Sequence, residues 1–195
     1  LSSWSAESDV YKRQVTGVNK VGGISGYGTD IRNSYATGNI VGVNFVGGIV
    51  GDGWDIHNSY ATGNVNSTGN HTGGLAGYVD GTVEDSYATG DVIGINKVGG
   101  FVGNADWTLI NNSYSTGDVS GVSEVGGFIG FYKYNDTNAF WANSYWNNHS
   151  GNVPISVGNG TDYGIISIND NINYFYLSTN CLLYTSPSPR DGLLS

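Results

Sequence analysis

Gly47–Gly51 reads GGIVG and Asn58–Asn64 reads NSYATGN, and the chain repeats this two-part clause along most of its length. The glycine part recurs as GGISG from Gly22, GGLAG from Gly73, GGFVG from Gly99 and GGFIG from Gly126. The second part recurs as NSYATGN at Asn33–Asn39, DSYATGD at Asp85–Asp91 and NSYSTGD at Asn112–Asp118, with a decayed copy, NSYW, at Asn143–Trp146. Successive glycine pairs lie 25, 26, 26 and 27 residues apart, and Tyr35, Tyr60, Tyr87 and Tyr114 follow one another at 25, 27 and 27. A fixed period of this size is the mark of a solenoid or array.

No window carries the apolar spacing of an amphipathic helix, and Gly, Asn, Ser and Thr are poor helix formers. Val, Ile, Tyr, Phe and Thr fill short pieces between turn residues, as strands prefer. In the second repeat these pieces are predicted at Val46–Val50, Asp55–Thr62 and Asn64–Asn66. Loops of about 26 residues stacked at roughly 4.8 Å pair in parallel. The predicted fold is therefore all-β, a parallel β-helix (β-solenoid) of about five coils, right-handed by the general rule for parallel crossovers.

One coil cannot bury its own apolar face, so its neighbours must stabilise it. Three interior ladders are expected: Ile31, Ile56, Val83, Ile110; Ile40, Val65, Val92, Val119; and Ile49, Leu75, Phe101, Phe128. Asn33, Asn58, Asp85 and Asn112 follow the first ladder by two residues and suit a turn, where a short polar side chain bonds nearby backbone and tolerates the left-handed region. The glycines are expected to supply positive φ at corners and close backbone approach.

Outside about Val15–Asn180 the pattern stops. Asp9–Gln14 (DVYKRQ) can be encoded as GATGTGTATAAGAGACAG, whose opposite strand, one frame over, encodes Cys-Leu-Leu-Tyr-Thr-Ser, the sequence of Cys181–Ser186. Two protein termini should not be opposite strands of one oligonucleotide. Residues 1–14 and 181–195 are therefore expected to be translated sequencing-adapter sequence flanking a piece of a longer, metagenomic reading frame. Residues 15–152 form the repeats, and 153–180 a terminal coil, a cap or the start of another module.

The single cysteine, Cys181, falls in that terminal piece, so cysteine usage gives no disulfide framework and no thiol metal site. The chain has 16 acidic and 7 basic residues, a net charge of −9. Such a surface is a poor match for nucleic acid, where cations supply most of the affinity. No apolar run approaches the ~20 residues that span a bilayer.

The clause G-G-apolar-x-G followed by N-S-Y-A-T-G-[ND]-[VI] resembles the GLUG motif over about Val15–Asn152. That repeat occurs in large bacterial and archaeal surface or secreted proteins, including filamentous, haemagglutinin-like adhesins and the N-terminal regions of immunoglobulin-A-cleaving zinc metallopeptidases. The resemblance implies a secreted or cell-surface setting. The peptidase chemistry is not expected here, because His57, His71 and His149 form no H-E-x-x-H arrangement.

Other chemistry is sparse. Asp52, Asp55, Asp80 and Asp106 could crowd on neighbouring rungs, as in β-helix enzymes that cut acidic polysaccharides. Yet Lys20, Arg32, Lys97 and Lys133 do not cluster with them in the linear pattern. No catalytic residue, metal or cofactor is expected. The tyrosine ladder can point inward, or outward with Ser34 and Ala36 and their equivalents inside; alternation forbids both at once. Trp54, Trp107, Trp141 and Trp146 are the candidate ligand-contact residues, with Trp54 and Trp107 placed on turn insertions. N-x-[ST] triplets at Asn66, Asn70, Asn111, Asn135, Asn148 and Asn159 permit glycosylation. The expected function is a non-catalytic structural or adhesive segment that contacts surface carbohydrate or an extracellular protein. The rival is a polysaccharide-cleaving β-helix, or an accessory region of a surface peptidase.

Overall fold

The computed structural model describes residues 14–133, 141–148 and 152–168. Every strand pair among them is parallel. The chain is a β-solenoid of about five turns, and no described residue is helical.

Each coil crosses four walls, not the three pieces expected. In the second coil these are Ile40–Gly42, Asn44–Gly47, Val50–His57 and Tyr60–Ala61. The expected strand Asp55–Thr62 is cut at Asn58, whose φ of 47° turns the chain. Asn33, Asp85, Asn112 and Asn143 repeat that left-handed turn at φ 49°, 50°, 48° and 51°. The serine that follows each of them completes the corner. The Ser59 hydroxyl donates to the His57 carbonyl and accepts the Ser34 amide, and Ser86 does the same for Glu84 and Ser59. Ser59, Ser86 and Ser113 are buried, and these bonds satisfy them there.

The three apolar ladders stack in register. Ile31 pairs with Ile56, Ile56 with Val83 and Val83 with Ile110, all buried. Ile40, Val65, Val92 and Val119 line the first wall in the same manner. Ile49, Leu75, Phe101 and Phe128 climb the interior through successive amide-to-carbonyl bonds, with the last two rings stacked at 4.7 Å. Burying each such side chain contributes roughly 1.5–3 kcal/mol.

The tyrosines face outward. Ala61 and Ala88 join the interior cluster, while Tyr35, Tyr60, Tyr87 and Tyr114 stack ring on ring outside it at 5.3, 4.7 and 4.9 Å. A small inward residue is required because the second glycine of each pair lies opposite. A Cβ on Gly48 would run into Ala61 and into the Gly74 carbonyl of the next rung. The clause glycines are thus needed for close approach rather than for positive φ, which among described glycines occurs at Gly81, Gly160 and Gly164.

Two of the expected surface tryptophans are interior. Asn112 donates its amide to Ala142 as Asp85 does to Asn111, which puts Trp141 in the column of Ile110. Trp146 pairs in register with Ser115 and takes the inward alanine position, against Gly127. They are 1% and 2% exposed, so neither offers a contact surface. Trp141, Tyr132 and Tyr163 meet edge to face and close this end of the interior. Val157–Asn159 and Ile166–Ile168 then add strands to the third and fourth walls. The proposed adapter segments lie outside the described residues except for Gln14, as do His149 and Asn135.

Candidate functional site

One corner of the solenoid departs from its period. In the first two coils the third wall runs unbroken through Ser25–Arg32 and Val50–His57. In the next coil Asp80 and Gly81 separate Val79 from Thr82; in the one after, Asp106, Trp107 and Thr108 separate Ala105 from Leu109. Residues 133–140 then intervene between Tyr132 and Trp141. Register is kept on both sides, Gly53–Val79–Ala105 and Ile56–Val83–Ile110, so the chain lengthens at this corner by one residue in the third coil and by two in the fourth. The result is a stepped edge on a regular core.

Local bonds fix the steps. Asp55 Oδ1 accepts the Thr82 amide at 2.8 Å, across the first interruption. The Thr108 hydroxyl donates to the carbonyls of Val79 and Asp106, both at 3.0 Å, and the Trp141 indole donates to the Thr108 carbonyl. Trp107 holds a left-handed φ of 53°. Trp107 is on an insertion as expected; Trp54 instead lies within the unbroken strand Val50–His57, in register with the start of the steps. Both side chains are exposed, by 50% and 56%.

Beside the steps run two outward columns. Lys20, Phe45, His71, Lys97 and Glu124 share left-handed φ values between 52° and 62° on the second wall. Tyr27, Asp52, Tyr78, Asn104, Phe131 and Asn159 face out from the third. Residues of the first column reach those of the second one rung higher. Lys20 Nζ lies 2.7 Å from Asp52, Phe45 meets the edge of Tyr78, Lys97 sits 3.9 Å over Phe131, and Asn159 donates to Glu124 at 2.7 Å. His71 stacks on Phe45 with centroids 4.5 Å apart. Burial, then the charge of Lys97, lowers its pKa to about 4, against the opposing pull of Glu124 and Asp52.

The carboxylates fall into distinct roles. The bond from Asp52 holds the Lys20 ammonium above its usual range. Asp55 serves the turn. Asp106 accepts from the Tyr78 hydroxyl at 3.2 Å and from the Asn104 amide at 3.5 Å. Burial and the nearby Asp106, Asp80 and Asp52 push the Tyr78 hydroxyl far up. Asp80 is itself raised, by burial first and then by Asp106 and Asp52. Among the described residues no three His, Cys, Asp or Glu side chains are placed to hold a metal ion. The solenoid does set Lys20 beside Asp52 on one outer face, a juxtaposition that the linear order of cations conceals.

Tyr78, Asn104 and the Phe45–His71 column carry no sequence signature of their own. Their signal was the last glycine of each clause. A Cβ on Gly77 would strike the backbone of Phe45 and Val46, and one on Gly103 that of His71 and Thr72.

Residues 68–93 and 96–120 match the family model described as the GLUG motif. No curated protein and no solved structure matches the chain. With its further copies of the clause and its parallel stacked coils, the chain is a GLUG-repeat β-helix protein. The motif denotes a repeat region rather than a known catalytic domain.

Proposed function

We propose that this GLUG-repeat solenoid is a non-catalytic, rigid segment of a large secreted or cell-surface protein, and that its stepped corner is a contact surface for carbohydrate or an extracellular protein. The observation that carries the reading is the contrast between an interior repeated coil after coil and one corner that widens while leaving Trp54 and Trp107 exposed. Stacked coils give length and stiffness, and loops on a rigid scaffold are where contact residues concentrate. Exposed indoles offer apolar area with a polar handle.

The test is the Trp54→Ala/Trp107→Ala double variant, screened with the parent against cell-surface glycans and extracellular proteins. Binding should be lost while the thermal melt is unchanged, because neither side chain belongs to the interior. The parent should release no sugar from acidic or neutral polysaccharides, with or without calcium. Turnover that disappears on changing Asp52, Asp55 or Asp106 would establish the enzyme instead.

A further inference from the structure

On the first wall, away from the stepped corner and independent of it, we propose that Asn66 is an acceptor site for N-linked sugar, taking a hexose from an activated, phosphate-linked donor. Among the described residues the complete Asn-x-Ser/Thr triplets are Asn66–Thr68, Asn70–Thr72, Asn111–Ser113 and Asn159–Thr161. The acceptor signature pairs an asparagine amide with a hydroxyl two residues on, so both must face solvent together. In extended backbone, residues two apart share a face. Ser67 is buried at the end of the strand Val65–Ser67, so Asn66 and Thr68 both point outward and are exposed. The middle residue of each other triplet breaks that alternation. His71 and Asn112 are left-handed at φ 62° and 48°, and Thr72 and Ser113 are turned inward and buried. Gly160 has a φ of 124°.

The amides separate the triplets again. Asn70 accepts from Asn96, Asn111 donates to Glu84 and accepts the Ala142 amide, and Asn159 donates to Glu124. The Asn66 side chain has no hydrogen-bond partner among the described residues. The ground around it is also distinct. Gly42 pairs with Ser67 and Val46 with Thr72, so the corner after Asn66 holds one residue more than that of the coil before. The Ser67 hydroxyl pins this corner by donating to the Val43 carbonyl and accepting the Gly69 amide. Val41 and Ile93 flank Asn66 in register, and Ile93 is 51% exposed. With Asn39, Asn64 and Asp91 they line a groove of about 240 Å³. The C–H face of a first sugar on Asn66 can lie over this apolar area and remove it from water. In the transfer, Asn66 Nδ2 bonds to the anomeric carbon as that carbon's bond to the donor's phosphate oxygen breaks. The phosphate leaves with the electron pair, and the amide gives one proton to a base of the transferase.

The experiment treats the folded full chain with a soluble, nucleotide-sugar-dependent asparagine glycosyltransferase and UDP-glucose, beside a peptide spanning Asn66–Thr68. Mass-spectrometric peptide mapping locates the hexose. The folded chain should take it at Asn66 ahead of Asn70, Asn111 and Asn159. Asn66→Gln should abolish this incorporation, and Thr68→Ala should reduce it severalfold. Asn66→Gln keeps the fold, since Val41, Ile93 and Ser120 occupy the same outward column. Equal or faster modification of another described triplet in the folded chain would overturn the assignment. So would a folded chain left unmodified at Asn66: an accepted peptide would then show that the wall occludes the amide, and a refused one that the triplet is no substrate.

Discussion

Trp141 stands in the interior column one rung above Ile110, where every earlier coil places an isoleucine or valine. The indole fills that slot, donates to the Thr108 carbonyl and meets Tyr132 and Tyr163 edge to face, so that this end of the interior is closed by large aromatic side chains. Trp141→Ala should cost about 3–5 kcal/mol, the range for emptying a large aromatic site. Urea denaturation measures it. A loss below about 1 kcal/mol would mean that the indole does not occupy the interior.

Gly48 offers the opposite test, of overpacking. Its missing Cβ leaves room for Ala61 across the coil and for the Gly74 carbonyl above. Gly48→Ala should destabilise by about 1–3 kcal/mol. Adding Ala61→Gly relieves only the side-chain half of the conflict, so it should not restore the parent's stability. Full rescue would show that the backbone approach is unimportant.

The outward tyrosine column should behave as a unit. Tyr87 stacks on Tyr60 at 4.7 Å and on Tyr114 at 4.9 Å, both nearly parallel. Tyr87→Ser removes both contacts, worth about 0.5–1.5 kcal/mol each beyond burial. Tyr35→Ser removes one, at the exposed end of the column, and should cost less. Equal losses in denaturation would contradict a continuous stack. Because the ring faces are spent on one another, this column leaves little flat aromatic area for a sugar.

The period and the three ladders were legible because equivalent residues must stack, and stacking forces similar side chains at a fixed spacing. The phase of the tyrosines was not, since the left-handed turn at Asn33 and its equivalents resets the strand alternation. Trp141 and Trp146 were legible in principle. Trp141 precedes Asn143 by two residues, just as Ile110 precedes Asn112, and Trp146 stands where Ala88 and Ser115 stand. The decayed lettering of that repeat masked an intact spacing. The outward column from Lys20 to Glu124 was signalled only indirectly, by the last glycine of each clause, because its left-handed turn is held by residues with no turn preference. The stepped corner could be glimpsed only as a drift in period, whose location needed the register.

His71 makes stability depend on pH. Its ring is half-buried between Phe45 and Lys97, with Glu124 and Asp52 opposing Lys97, and its Nδ1 is buried without a partner. The folded chain therefore keeps the ring neutral down to about pH 4, whereas the unfolded chain protonates it near 6.5. A depressed histidine contributes its full stability above the unfolded value. As pH falls from 6.5 toward about 4, the unfolded state takes up a proton that the folded state refuses, and stability drops. The full shift corresponds to about 3 kcal/mol, which partial exposure reduces to about 1–2 kcal/mol. Phe45 shows that phenylalanine is accommodated at the equivalent left-handed position, so His71→Phe should fold, stack on Phe45 and lack this dependence. Urea denaturation of parent and variant at pH 7.5, 5.5 and 4 isolates the effect, because titrations shared by both chains cancel. The stability difference should move in the variant's favour as the pH falls, and a difference constant across that range would show that His71 titrates alike in both states.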